Sequence, residues 1–166
     1  MIKKLGIVGC GQMGGGIAQV AAQAGIAVIS CEVSDDLWKK GFARIEKNID
    51  KAIEKGKADE AFKKKTMANL TGTSKLSDLA DCDLVVEAVI EEMGEKIKTF
   101  CELDKICKPD AILASNTSSL SIGDMAAATK RRDKFCGLHF FNPVAAGLNF
   151  SVYVLYFLII LFRALS

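Results

Sequence analysis

Ligands for a structural metal are scarce in this chain. Its 166 residues include one His, and none of the six Cys (Cys10, Cys31, Cys82, Cys101, Cys107 and Cys136) belongs to a C-x-x-C pair. That composition argues against a structural zinc site, and no metal is expected. Charge of one sign is scarce too. A net charge of +2 is too small to point to nucleic acid or to a generally anionic surface. A secretory signal pattern is missing from the N-terminal residues: Lys3 and Lys4 precede an apolar run, but glycines break it, so it reads as a first strand. Scattered cysteines without a signal peptide indicate a reducing compartment, and the expected location is cytoplasmic. The length allows one domain with a sizeable core.

Glycine is concentrated where it carries information. Gly9-Cys10-Gly11-Gln12-Met13-Gly14 follows the apolar run Leu5-Gly6-Ile7-Val8 and opens an Ala-rich helical segment, Ile17 to Ala24. Strand, glycine turn and helix in that order form a pyrophosphate cradle. Gly9 permits the tight turn, Gly11 lets backbone approach the phosphates, and Gly14 lets helix and strand pack closely. The helix N-terminus then faces the anion with free N–H groups. A second apolar run, from Ile26 to Ser30, leads to Glu32. An acidic residue about 20 positions past the glycines is where a ribose-binding carboxylate belongs.

From Asp35 to about Asn69 the pattern is charged and helical. Leu37, Phe42, Ile45, Ile49, Ala52 and Ile53 form one apolar stripe, Ser34 is placed to cap it, and Gly56 divides two helices. The dense lysines of this pair read by composition as a solvated face. Leu84 to Val89 reads as a buried parallel strand, Glu92 to Ile106 as a helix, and Ala111 to Ala114 as the next strand. The polar loop Ser115-Asn116-Thr117-Ser118-Ser119 follows. A weak helix over 122–128 and a strand from Phe135 to Phe141, closed by Asn142-Pro143, complete the pattern. The fold class is therefore α/β: a doubly wound parallel sheet of Rossmann type, with a helical pair inserted after the second strand. Ligands bind such sheets at the carboxyl ends of the strands. The glycine loop, Glu32, the end of the Val86 strand, the Asn116 loop and the His139–Asn142 segment should share one rim.

Those strings also carry a resemblance. The chain resembles the 3-hydroxyacyl-CoA dehydrogenase family in its NAD-binding domain, above all the bacterial 3-hydroxybutyryl-CoA dehydrogenases. The likeness covers residues 1 to about 144. It runs through the glycine loop, Asp83-Leu84-Val85-Val86-Glu87-Ala88, Ala114-Ser115-Asn116-Thr117-Ser118-Ser119 and Gly137-Leu138-His139-Phe140-Phe141-Asn142-Pro143. It implies NAD-dependent oxidation of (3S)-3-hydroxyacyl-CoA to 3-oxoacyl-CoA, or the reverse reduction, in fatty-acid or butanoate metabolism. By the resemblance Gly9, Gly11, Gly14 and Glu32 hold the dinucleotide, and Glu91 and Lys96 contact its nicotinamide side. Ser118 hydrogen-bonds the substrate's 3-oxygen, His139 is the catalytic base, and Asn142 positions the cofactor. Asn48 and Lys55 touch coenzyme A. The residues agree at His139, since imidazole suits proton removal near pH 7 as hydride leaves.

Beyond residue 143 the likeness stops. The family continues with a strand whose Glu orients the catalytic His; Ser151 stands at that position. The family's helical C-terminal domain, which supplies another catalytic Asn, the dimer interface and part of the acyl pocket, has no counterpart in this sequence. The expected division is a domain over 1–143 and a divergent apolar tail over 144–166, the product of a reading-frame shift or truncation. Between Val144 and Phe162 the tail has no charge, which approaches a membrane-span length. Two other readings stand beside low dehydrogenase activity: a non-catalytic nucleotide-binding or structural relative, and a binding domain anchored to a membrane by the tail.

Overall fold

The computed structural model describes residues 2–142 and Val144. Six strands form one parallel sheet: β1 (Lys4–Val8), β2 (Ala27–Cys31), β3 (Leu70–Thr73), β4 (Leu84–Glu87), β5 (Ile112–Ser115) and β6 (Phe135–Gly137). Their order across the sheet is β3-β2-β1-β4-β5-β6. Five α-helices connect them: α1 (Gln12–Gln23), α2 (Asp35–Glu54), α3 (Glu60–Ala68), α4 (Met93–Ile106) and α5 (Ile122–Ala127). The direction of winding reverses between β1 and β4, as the doubly wound pattern requires.

Alternation along the strands assigns the two faces. Leu5 and Ile7 of β1, Leu84 and Val86 of β4, and Ala114 of β5 pack with Ile17, Ala18 and Ala21 of α1 and Ile45 and Ile49 of α2. Val8, Val85 and Leu113 point the other way, to Phe100 and Leu103 of α4 and Met125 of α5. Two-sided burial is why these strands read as continuous apolar runs. Gly56, at φ +67°, turns the chain between α2 and α3 as expected. Ser34 holds the N-cap position of α2, but its side chain makes no capping hydrogen bond.

Two elements differ from the sequence expectation. β3 was not anticipated: it is a four-residue edge strand, and its Gly72 lies under the Trp38 ring, where a Cβ would come within 2.1 Å. β6 ends at Gly137 rather than Phe141, because the Phe140 N–H donates to the Asn116 side chain at 2.9 Å instead of extending a ladder. Val144 is buried in the α1 face, close against Gly16. The rest of the apolar tail, with Ser151, lies outside the described residues. Among the described residues no helix is long and apolar enough to cross a membrane.

Candidate active site

The last residues of the central strands stand level. Val8 is in register with Cys31 and with Glu87, and Glu87 with Ser115. The loops that leave them converge on one rim.

At β1 the glycines do what the motif requires. Gly9 has φ +94°, and a Cβ there would lie 2.7 Å from the Ala88 carbonyl oxygen. A Cβ on Gly14 would lie 1.7 Å from the Gly9 oxygen, so only glycine allows α1 to start this close to its own loop. At Gly11, apart from its chain neighbours, no protein atom lies within 4 Å of the Cβ position. The N-terminus of α1 has no side-chain cap and no acidic residue in its first turn. Open space, bare backbone and a helix N-terminus fit a pyrophosphate.

A cleft of about 580 Å³ opens beside this loop, lined by Gly9, Gly11, Glu32, Val33, Ile90 and Lys98 among others. Val33 and Ile90 are large apolar side chains left exposed there. Glu32 serves the loop as well as the cleft. Its Oε1 accepts from the Cys10 N–H at 2.5 Å. On the other side of that residue, the Arg44 guanidinium donates to the Cys10 carbonyl at 2.7 Å. Arg44 was legible only as one of many basic residues on α2. Burial pushes the Cys10 thiol up to about 11, helped by the Glu32 charge, so it stays protonated at neutral pH.

On the other side of the glycine loop lie Glu91, Lys96 and the Ser118 loop. The Lys96 ammonium is buried and donates to Glu87 Oε1 at 2.7 Å; it also pairs with Glu91 Oε2 at 3.1 Å. Lys96 therefore reaches the rim through Glu91, which stays partly exposed. Glu91 Oε1 accepts from Thr117 Oγ1, and from Ser119 Oγ at 3.2 Å. Burial raises the Glu91 carboxyl, but the hydrogen bonds from Thr117, Lys96 and Ser119 outweigh it and hold the group below its ordinary value. Ser118, exposed, stands between the two residues that Glu91 grips.

His139 sits on the neighbouring segment. The Leu138 N–H donates to the Ser115 carbonyl at 2.8 Å, and the Phe140 N–H to Asn116 Oδ1. The residues on both sides of His139 are thus tied to the loop that carries Ser118. The imidazole is half-buried, with the Phe141 ring at 4.6 Å between centroids. Among the described residues no hydrogen bond or ion pair holds it. Asn142 is exposed beside it.

Asn48 and Lys55 lie apart from this pair, on α2. Asn48 donates to Gln19 Oε1 at 3.3 Å, and Lys55 is the exposed C-cap. With Arg44 and Lys51 they fall on one helical face, and Lys55 stands about 16 Å beyond Arg44 along the axis. No group of His, Cys, Asp or Glu among the described residues is arranged to hold a metal ion.

Comparison with known proteins fits this geometry. The sequence model of the family described as 3-hydroxyacyl-CoA dehydrogenase, NAD binding domain, matches residues 4–147. A 3-hydroxybutyryl-CoA dehydrogenase from Bradyrhizobium diazoefficiens is 49% identical over 144 residues, which are 87% of this chain and 49% of that protein. The crystal structure of (S)-3-hydroxybutyryl-CoA dehydrogenase PaaH1 from Ralstonia eutropha superposes with a TM-score of 0.85 at 43% identity, covering 87% of this chain and 51% of that one. That of FadB2 from M. tuberculosis gives 0.83 at 47% identity, covering 86% and 50%. The chain spans about half the length of these relatives. The cofactor that the family indicates is NAD.

Proposed function

The chain belongs to the 3-hydroxyacyl-CoA dehydrogenase family, and from that premise we propose that it provides the cofactor-binding and proton-transfer half of an NAD-dependent (3S)-3-hydroxyacyl-CoA dehydrogenase. The supporting observation is the tie between Ser115–Asn116 and the Leu138–Phe140 backbone, which brings the Ser118 loop and His139 to one rim with the glycine loop. Gly9, Gly11 and Gly14 shape the pyrophosphate cradle, and Glu32 takes the ribose hydroxyls. Glu91, held by Lys96, and Asn142 orient the nicotinamide half. When bound, NAD supplies the hydride acceptor.

The chain's own residues do the rest. Ser118 Oγ hydrogen-bonds the 3-oxygen of the acyl chain. An imidazole nitrogen of His139 takes the hydroxyl proton in oxidation and returns it in reduction. Asn48 and Lys55, away from the reacting atoms on α2, meet the coenzyme A portion, which must extend from the rim. Six free cysteines accord with a reducing, cytoplasmic setting.

Reduction of acetoacetyl-CoA with NADH, followed by absorbance, tests this reading. Turnover that falls in His139→Gln while NADH binding persists is the expected result. A second reading has its own observation: among the described residues no carboxylate orients the His139 ring. A nucleotide-binding relative without turnover would bind NADH normally and show no His139-dependent rate.

A further inference from the structure

Behind the rim the polar residues form one connected network, and its root is a residue to which the motif assigns nothing. Glu87 ends β4 on the face that carries Val85, so its side chain points under α4. It is fully buried, as is Lys96 on α4 above it. Glu87 Oε1 accepts from Lys96 Nζ and from the Val89 N–H, both at 2.7 Å. Glu87 Oε2 accepts from Ser115 Oγ at 2.7 Å. Both carboxylate oxygens are thus occupied from inside the protein.

Two branches leave this carboxylate, and both end beside Ser118. One runs through Lys96 to Glu91, which holds the hydroxyls of Thr117 and Ser119. The other runs through Ser115, whose hydroxyl accepts from the Thr117 N–H at 3.3 Å. Thr117 Oγ1 closes the loop by accepting from the N–H groups of Ser119 at 3.3 Å and Leu120 at 3.0 Å. A buried ion pair is a weak source of stability, and an apolar pair of similar volume commonly does as well. What this one provides is fixed geometry for two exposed groups, the Glu91 carboxylate and the Ser118 hydroxyl.

We propose that Glu87 is a positioning residue for the nicotinamide half of the cofactor: through Lys96 and Ser115 it sets the Glu91 carboxylate and the Ser118 loop. The inference rests on the NAD reading above. A dinucleotide crosses the glycine loop from the β2 side to the β4–β5 side of the switch point. Its adenosine half belongs in the cleft of Glu32 and Val33, and Lys96, Glu91, Ser115 and Thr117 do not line that cleft; of the groups bonded to Glu87 only Val89, which donates through its backbone N–H, does. Loss of Glu87 therefore acts on one half of the ligand.

The test compares NADH with ADP-ribose, which keeps the adenosine and pyrophosphate but lacks nicotinamide. The full chain and its Glu87→Gln and Ser115→Ala variants are titrated calorimetrically with each, after circular dichroism establishes that they fold. Glu87→Gln should weaken NADH roughly tenfold, the usual weight of a partner that supports a ligating side chain. Ser115→Ala, which removes one branch, should weaken it about threefold, while ADP-ribose shifts less than about twofold in both. Equal weakening of both ligands would make Glu87 merely structural and overturn the proposal, as would unchanged NADH affinity. If Glu87→Gln does not fold, the Ser115→Ala ratio of the two affinities decides in the same way. If the unsubstituted chain binds neither ligand, the NAD reading itself fails and the inference falls with it. Binding by the unsubstituted chain with no selective loss in the variants rejects the inference alone.

Discussion

Gly11 and Gly14 are three residues apart, and alanine at each should have opposite consequences. A methyl on Gly14 would sit 1.7 Å from the Gly9 carbonyl oxygen, half the 3.4 Å at which ordinary contact begins. The opposing atom is backbone and cannot swing away. Either α1 must lift off β1 or the loop must open. Lifting α1 disturbs Ile17, Ala18, Ala21 and Ala22, all essentially inaccessible to solvent. Overpacking of this kind costs about 3 kcal/mol, the upper part of the usual range. At this size that is a fall in melting temperature of roughly 10 °C. At Gly11 a methyl meets nothing, and the backbone there, φ −66° and ψ −158°, suits alanine. Gly11→Ala should melt within about 2 °C of the parent. Its methyl nevertheless occupies the space assigned to the pyrophosphate, so NAD affinity should fall at least tenfold, or about 1.4 kcal/mol. Thermal melts by circular dichroism and calorimetric titration with NAD give both quantities. A Gly11→Ala protein that binds NAD as the parent does would refute the cradle assignment. A Gly14→Ala protein of parental stability would refute the close approach of α1 to its loop.

Other substitutions probe the remaining parts. On the proposed reading Glu32 would accept the ribose hydroxyls and repel a 2′-phosphate, so NAD should bind at least about tenfold more tightly than NADP, and Glu32→Ala should narrow that ratio in paired titrations. Asp83 accepts from Lys108 Nζ and from the N–H groups of Lys3 and Lys4, which hold its carboxyl well below the ordinary carboxylate range. A folded value below the unfolded one gives stability that is present above about pH 4 and is lost as pH falls further. Urea unfolding should accordingly show a smaller loss between pH 5 and pH 3 for Asp83→Asn than for the parent. Where the proposed reduction of acetoacetyl-CoA is measured, His139→Gln should cut turnover roughly 100-fold with NADH affinity unchanged. If Lys55 meets coenzyme A as proposed, Lys55→Glu should weaken acyl-CoA binding a few-fold at low salt, and the difference should shrink as salt is added, because Lys55 is exposed.

The sequence was most legible where burial is two-sided or where glycine leaves no choice. β1, β2, β4 and β5 sit between helices, so each is mostly apolar, and the glycine loop announces both a turn and a helix start. β3 escaped because its fit is tertiary. Leu70-Thr71-Gly72-Thr73 has little apolar content, and its glycine is explained only by Trp38, which α2 lays across it. The far end of β6 was overextended for a related reason. Phe140 is buried and looks strand-like, but a side-chain amide takes the N–H that a neighbouring strand would have used. Glu87 and Lys96 were the least legible as partners. Nine residues separate them, and only the folding of α4 back over β4 makes them touch. A glutamate inside an apolar strand was the available signal, since an unpaired carboxylate cannot be buried there.

The ends of the strands explain why loops of such different composition meet accurately. Each central strand passes its last carbonyl to the first loop residue of a neighbour. Cys31 accepts from the Gly9 N–H at 2.9 Å, Val8 from Ala88 at 2.8 Å, Glu87 from Asn116 at 2.9 Å and Ser115 from Leu138 at 2.8 Å. The parallel ladder thus runs one residue past the strands into the functional loops. Their height above the sheet is set by strand register, which the alternating core contacts of Leu5, Ile7, Val85 and Leu113 enforce. The loop residues are then free to be chosen for chemistry rather than for their own folding. Gly11 can be bare, Ser118 can be exposed, and His139 can stand without a hydrogen-bond partner among the described residues, because the backbone bond at the start of each loop sets its position.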